Sequence, residues 1–509
     1  MATKQDSNSV GLRYAEETAP GVVSGSAVWY PVEPNGYKDM GGQLKLLARD
    51  PINASRQRTK GVITDLDASG GFDHDFTQDG LTRLLQGFVF ADIKETPTNV
   101  PMNEAAIDLD TVTGSSKTYT FGSGTLGGDF AAGDLILVDG CPVTANNGLK
   151  TVASTTDTTI VVTQTCADDT VTAGTVRLVG HQFGAGEVGI SSTGLFPRLV
   201  RASGAYDFSD HGLVVGEWIF IGGDATGLKF ATAANNGFAR IRAIDATYLE
   251  FDKASGTMAT EAAGTLTIQV FYGNVLKNAQ DPDEIVRRTY QLERTLGDDG
   301  NGVQTEYIVG ATPNEMSINI KMADKVTAEF SFLAMDNEQR SGTTGDKDGT
   351  RPDLVSGECF NTSSDIKSMK LAVIPAMGAN PTALFSYLTE MTITLKNNCK
   401  TNKAVAVLGA FDVTTGTFEV GGNLKVYFAD TAALAAVRAN SDVTFHVAFV
   451  KANAGWVFDL PLLALGDGKL DVAKDEAISL PLSFEAAKGA AGHTLLMNEF
   501  PYLPALADS

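Results

Sequence analysis

The sequence predicts a mostly β protein with minor α structure, and three observations predict it. Glycine is abundant, at 53 of 509 residues, Thr, Val and Ala recur throughout, and long runs rich in Leu, Glu and Lys are nearly absent. β-branched side chains fit a pleated, half-buried surface, and frequent glycine marks frequent turns. Apolar residues at 43% and charged residues at 20% are ordinary for a folded chain and too apolar for a disordered one. The length suits roughly two to four domains.

The chain opens MATKQDSNSVGLRYAEE, without an apolar core of signal-peptide length, and nowhere runs to about 18 uncharged apolar residues. Synthesis in a cytoplasm without membrane insertion is expected. The polar start, followed by Val10, Leu12 and Tyr14, reads as an arm that docks on something. QLKLLARD and TKGVITDLDASGGFDHDF read as strands, separated by PINASRQRTK, an exposed loop or hairpin tip carrying Arg56 and Arg58. In DGLTRLLQGFVFAD, residues 79–92, Leu81, Leu84, Leu85, Phe88 and Val89 form one buried stripe. This is the clearest helix, with Asp79 as its N-cap and a sheet beneath it.

From about 108 to 273 helical patterning vanishes and a weak repeat appears. FAAGDLILVDGCPVTANNGLKTVASTTDTTIVV closes on TAGTVRLV, and LVVGEWIFIGGDATGLKFATAANNGFARIRAIDATYLEF closes on AAGTLTIQV. Asn146-Asn147-Gly148 matches Asn235-Asn236-Gly237, and Ala173-Gly174-Thr175 matches Ala263-Gly264-Thr265. The repeat predicts two small β-modules in tandem, 106–182 and 183–273, each with an Asn-Gly turn that tolerates positive φ. Helix 79–92 needs a sheet to cover, and the best alternating strands come later. The modules therefore read as inserted into a loop of one parent domain, 1–105 with 274–509, since loops accept insertions at low entropic cost.

The later strands are SINIKM, VTAEFSF, MTITLK, GNLKVYF and VTFHVAF, each apolar at every second residue. In FEVGGNLKVYFADTAAL, Leu424, Val426 and Phe428 share one face while Asn423, Lys425 and Tyr427 share the other. ADTAALAAVRAN follows as a short helix behind Asp430.

The balance of 39 basic against 61 acidic residues, net −22, argues against a surface that grips nucleic-acid phosphates. The segment 106–273 holds 9 basic and 17 acidic residues, a net of −8 that leaves −14 for the parent. Cys141, Cys166, Cys359 and Cys399 lack CxxC spacing, and His74, His181, His211, His446 and His493 lack metal-ligand spacing. Gly184-Ala185-Gly186-Glu187-Val188-Gly189 fits GxGxxG, but ISSTGLFPRLV after it is no helix, so it reads as a loop. Asp73 with Asp75, Asp168 with Asp169, and Asp298 with Asp299 are the nearest pairs for acid and base work, and turns explain them better. GDDGNG lacks the ligand alternation of an EF-hand, and His446 reads as an interface or solvent residue. No catalytic residue, metal ligand or cofactor is assigned, and an enzyme is not expected.

Two blocks carry a resemblance. GVITDLDASGGFDHDFTQDGLTRLLQGFVF, and MTITLKNNCKTNKAVAVLGAFDVTTGTFEVGGNLKVYFADTAALAAVRANSDVTFHVAF, resemble the major tail tube proteins of long-tailed, siphovirus-type bacteriophages. The likeness covers the parent domain, about two thirds of the chain, and not the inserts. It implies a tail-tube-type β-sandwich with a flanking helix, assembled with itself into stacked, hexameric rings in the host bacterial cytoplasm and located in the virion tail. It further implies an acidic conduit through which DNA passes without specific binding, with tape measure, tail terminator and distal tail proteins as partners. Leu12, Tyr14, Arg56, Arg58, Phe500 and Tyr502 are then candidates for contacts between rings. Asn423, Lys425 and Tyr427 are candidates for the pore or the subunit seam. The inserts would project outward, where they could touch a host surface, and deletion of 110–270 is expected to leave tubes that assemble. A surface adhesin or carbohydrate-binding protein, and a tail-associated glycan hydrolase, remain the alternatives.

Overall fold

The computed structural model describes residues 7, 10–52, 57, 59–78, 81–94, 109–122, 130–172, 174–204, 206–298, 300, 302–354, 357–374, 383–385 and 387–508. Among them every strand pair is antiparallel, and two large sheets account for nearly all strands. One sheet of 17 strands is built from the chain before Asp75 and after Asn274, and one of 13 strands from Leu109 to Phe271. The molecule is mostly β, with two short α-helices among the described residues.

Two long strands organise the larger sheet. Val303–Lys321 pairs through its first half with Tyr290–Asp298 and Asp336–Arg340, then through its second half with Thr327–Ala334 and Leu388–Lys396. Gly310 stands where the partners change, with φ at +65° and the Met335 side chain packed where a Cβ would go. A glycine is required there for conformation and for space. Thr59–Asp75 does the same, pairing first with Gly41–Arg49 and then with Thr327–Ala334. The core between is aromatic: the Phe72 ring lies 5.1 Å from Phe330, and Phe76 lies 5.6 Å from Trp456 and 5.4 Å from Phe458.

The flanking helix runs Thr82–Val89, shorter than the expected 79–92. It stops because Phe90 turns left-handed, at φ 49°, and Asp79 lies outside the described residues. The predicted stripe faces the sheet, with Phe88 5.4 Å from Phe330 and 5.3 Å from Phe332. Gly87 admits the Tyr290 ring, whose hydroxyl donates to the Arg83 carbonyl at 3.2 Å. The second helix, Ala432–Ala439, starts where the carboxylate of Asp430, one residue ahead of the N-cap Thr431, accepts from the Ala432 N–H at 2.7 Å.

The two copies of the repeat occupy equivalent places in the smaller sheet, joined where Thr175–Phe183 pairs with Ile268–Phe271. The Asn-Asn-Gly triplets are not hairpin turns. Each ends a 3-10 turn, Thr144–Asn146 or Ala233–Asn235, and opens a strand at a glycine of φ +88° or +121°. The first asparagine of each triplet is fully buried, and its carbonyl oxygen accepts a backbone N–H, Ala167 for Asn146 and Ala259 for Asn235. The second clamps one residue from both sides: Asn147 binds the N–H and C=O of Cys141, and Asn236 those of Phe230. The amide recurs in both copies because it supplies two donors and two acceptor lone pairs to a loop with no strand partner.

Candidate functional site

The strand that includes Asn423, Lys425 and Tyr427 is Glu419–Tyr427, and it is central, paired on one side with Leu388–Lys396 and on the other with Ser479–Ala487. Its edges are consumed within the chain, so its unpartnered surface is a face. Val420, Leu424 and Val426 are buried, while Asn423 and Tyr427 are exposed and Lys425 half-buried, as the alternation predicts. Register aligns Asn319, Thr392, Asn423 and Ser483 across four strands. Thr392 donates to Asn319 at 2.9 Å, Asn319 to Glu329 at 3.2 Å, and Lys38 to Glu329 at 2.6 Å. The result is a broad, internally hydrogen-bonded polar surface with both signs of charge at its margins.

The strands Gly41–Arg49 and Thr59–Asp75 extend beyond the core as a hairpin. Leu46 and Leu47 are 68% and 63% exposed, and Val62 and Ile63 opposite them are about as open. Adjacent strand residues point to opposite faces, so both faces of the hairpin are apolar and uncovered. Val405, 99% exposed, with Val407, Leu408 and Phe411, extends the apolar surface at the hairpin's base. Lys403 fixes that loop to the hairpin, its ammonium 2.6 Å from Asp65 and also paired with Asp67. Sequence reasoning read QLKLLARD as an ordinary strand and missed this surface. The available signal was Leu46 next to Leu47, two large apolar residues where a strand with one buried face alternates.

The other sequence-chosen residues fall elsewhere. Arg56 and Arg58 lie outside the described residues. Leu12 and Tyr14 are buried in Gly11–Glu16, which pairs with Tyr30–Val32 and Tyr290–Asp298. From Gly11 onward the expected arm is a sheet strand. Phe500 is also buried, 5.9 Å from the Phe238 ring, and Tyr502 is half-buried with its ring 5.7 Å from Phe271. The C-terminal segment is thus packed onto the inserted sheet of its own chain.

That packing continues into a buried junction between the two sheets. Trp218, Phe220, Phe238 and Phe271 from the smaller sheet share one apolar cluster with Val450, Val457, Leu496 and Phe500 from the larger. In its middle Asp459, 0% exposed, accepts from Arg240 Nη1 at 2.7 Å and Lys253 Nζ at 2.5 Å. Burial opposes ionisation of Asp459, but the two cations beside it outweigh this and hold its carboxyl well below the usual range. Burial, then Arg240, pushes the Lys253 ammonium down to about 8. His446 faces this junction, 4.6 Å from the Trp218 ring and 3.0 Å from Ser368 Oγ, and burial drives its imidazole down to about 3. Val443–Lys451 is therefore covered on both faces.

The acidic pairs are taken up locally. Asp73 pairs with Lys38 at 2.9 Å and Asp75 with Lys325 at 2.7 Å. Asp168 accepts from Gly114 N–H at 2.8 Å and Asp169 from Val143 N–H at 2.9 Å. Asp298 accepts from the N–H of Gly300 at 2.7 Å, while Asp299 lies outside the described residues. In GxGxxG the Glu187 carboxylate accepts from Gly184 N–H at 2.7 Å, closing a turn onto a strand rather than opening a helix. Although the histidines lack metal-ligand spacing along the chain, His181, Asp134 and His211 converge at the smaller sheet, with ligand atoms all within 4.8 Å of one another. Burial, then the nearby His181, pushes the His211 imidazole down to about 4.

No helix among the described residues is long and apolar enough to cross a membrane. A family model described as phage tail tube protein matches residues 7–486. Comparison with curated proteins gave no match.

Proposed function

This chain belongs to the phage tail tube protein family, a structural component of the virion tail, and from that premise we propose that it polymerises with itself into stacked, hexameric rings of a siphovirus-type tail. The observation that carries this reading is the hairpin Gly41–Arg49 with Thr59–Asp75, apolar and uncovered on both faces. Exposure of that kind on a single subunit is a site for a partner chain. A second copy is the partner the family supplies, and Arg56 and Arg58, between the two strands in sequence, remain candidates for that contact.

Residues 1–105 and 274–509 form the tube domain in this reading, and 106–182 and 183–273 two inserted modules that face outward, available to a host surface. The polar face holding Asn423, Lys425 and Tyr427 lines the lumen. The lysines there, Lys321, Lys425 and Lys469, are interspersed with Glu390 and Asp467, and a net charge of −22 keeps DNA at a distance. Leu12, Tyr14 and Phe500 support the ring indirectly, as core, and Tyr502 stands at the margin. Assembly takes place in the host cytoplasm, and the tape measure, tail terminator and distal tail proteins meet the tube's interior and ends.

Negative-stain microscopy and size-exclusion chromatography of purified protein test this. Tubes or rings are expected from the unaltered chain, and folded single subunits from Leu46→Asp with Ile63→Asp. Rings that persist in the double variant would remove the hairpin from the contact, and a monodisperse subunit under all conditions would end the polymer reading. A tube reconstruction with a basic or apolar lumen would overturn the conduit.

A further inference from the structure

We propose that Asp134, His181 and His211 form a binding site for a divalent transition metal such as Zn2+, which joins the two halves of the inserted sheet. Asp134 opens the strand Asp134–Asp139 and is the register partner of His181 in Thr175–Phe183. His211 arrives from the other half of the insert, at the end of the 3-10 turn Phe208–His211. The three ligand atoms lie within 4.8 Å of one another. Tetrahedral bonds of about 2.0–2.2 Å put two ligands of one Zn2+ roughly 3.3–3.6 Å apart, so closure asks for a shift of about an ångström. His211 is half-buried at the rim and precedes Gly212, at φ 62°, which leaves it room to make that shift and gives an ion a way in.

Charge and polarity point the same way. Asp134 is 3% exposed, and among the described residues its sole ion-pair partner is His181, 2.8 Å away at Nδ1. A carboxylate so deeply buried is stabilised by a cation beside it, and among the described residues no Lys or Arg is paired with it. Its second oxygen is held by the Ala131 N–H at 2.7 Å, so the carboxylate is fixed in place. Neither His211 nor His181 Nε2 has a hydrogen-bond partner among the described residues. The Tyr272 phenol, fully buried within electrostatic reach of Asp134, has none either. The rings are pre-positioned: Tyr206 stacks on His211 at 4.1 Å and 11° and lies 4.5 Å from His181, and Phe183 lies 4.8 Å from His181. Two imidazoles and one carboxylate suit Zn2+ and neighbouring first-row ions, with water in the remaining position.

The test uses the full-length chain, loaded with excess Zn2+, freed of unbound metal and analysed by elemental mass spectrometry. Near one Zn2+ per chain is expected, falling at least tenfold in His211→Ala with an unchanged circular dichroism spectrum. Should His211→Ala not fold, Asp134→Asn keeps the size and the hydrogen-bonding shape of the side chain and is expected to lose the metal equally. Co2+ loading is expected to give visible ligand-field bands in the unaltered chain and not in the variants. Less than a tenth of an equivalent in the unaltered chain, or equal occupancy in folded variants, would overturn the proposal and leave Asp134 and His181 as a plain ion pair.

Discussion

Arg240, in the smaller sheet, donates from Nη1 to Asp459 of the larger sheet at 2.7 Å, with both groups removed from solvent. The same guanidinium holds Asp252 through Nε and Nη2, at 2.8 and 2.6 Å. Asp459 thus meets a preorganised fork on one side and Lys253 on the other. Asp459→Asn leaves two buried cations short of a counter-charge and is expected to lower stability by roughly 3–5 kcal/mol, read by chemical or thermal unfolding. Replacing the group together, with Asp459→Leu, Arg240→Met, Lys253→Met and Asp252→Asn for the carboxylate that Arg240 also holds, is expected to cost far less, because the desolvation of the buried charges disappears. A small effect of Asp459→Asn alone would mean that water reaches the site.

The same junction changes what deletion of the insert should do. Removing residues 110–270 strips cover from Val450, Val457, Leu496, Phe500 and Asp459 in one step. The simple deletion is expected to give insoluble or associating protein rather than ordered tubes. A deletion that also carries Val450→Thr, Val457→Thr and Asp459→Asn on the newly open face is expected to regain solubility. Soluble fraction and microscopy of the two forms decide it, and a simple deletion that builds regular tubes would show the junction to be dispensable.

The repeat supports a third prediction. Asn146 donates through Nδ2 to the Ala167 carbonyl and to Asp169, both at 3.1 Å, and accepts from Ala167 N–H at 2.9 Å. Asn235 sits in the equivalent place, donating to Glu261 at 2.9 Å and accepting from Ala259 N–H at 2.8 Å. Asn146→Ala and Asn235→Ala each strand buried polar groups and are expected to cost roughly 2–4 kcal/mol. Aspartate at either position is expected to be as harmful, because it removes the donor and puts a second carboxylate beside Asp169 or Glu261. Unfolding midpoints of the four variants check this, and tolerance of aspartate would contradict the donor role.

What the sequence made legible follows the reach of local pattern. Alternation placed Leu424 and Val426 inward and Asn423 outward, and helical spacing placed Phe88 on the sheet, since each depends on neighbours within one element. The matched asparagines marked the repeat, though they proved to be loop clamps rather than hairpin turns, because Asn-Gly fits either. Pattern could not say what covers a face. The run holding His446 and Ala448 looked half-polar, yet the partner of that face is Trp218, distant in sequence. Leu46 next to Leu47 breaks the alternation, but an uncovered apolar surface and a core are written in the same letters. Asp134, His181 and His211 meet only through strand register and a distant turn, which spacing along the chain does not encode.

Glu217 supplies the pH dependence. It is fully buried where the chain enters and leaves the insert, close to Lys94, whose backbone pairs with Val275. The Lys94 ammonium is 3.7 Å from one carboxylate oxygen, and the other, Oε1, has no hydrogen-bond partner among the described residues. Burial therefore dominates, raising the Glu217 carboxyl from its ordinary 4.5 to about 7 and lowering Lys94. Between these two values the folded chain binds more protons than the unfolded one, so this group's contribution to stability falls as pH rises through the interval and is flat above it. The full swing is about 3 kcal/mol from a shift of this size. Glu217→Gln cannot ionise, so its stability relative to the unaltered chain is expected to improve by about that amount between roughly pH 4.5 and pH 8. Unfolding of both proteins across that range measures the difference directly. A constant difference would mean that Glu217 stays ionised throughout, with Lys94 or water compensating it in the folded chain.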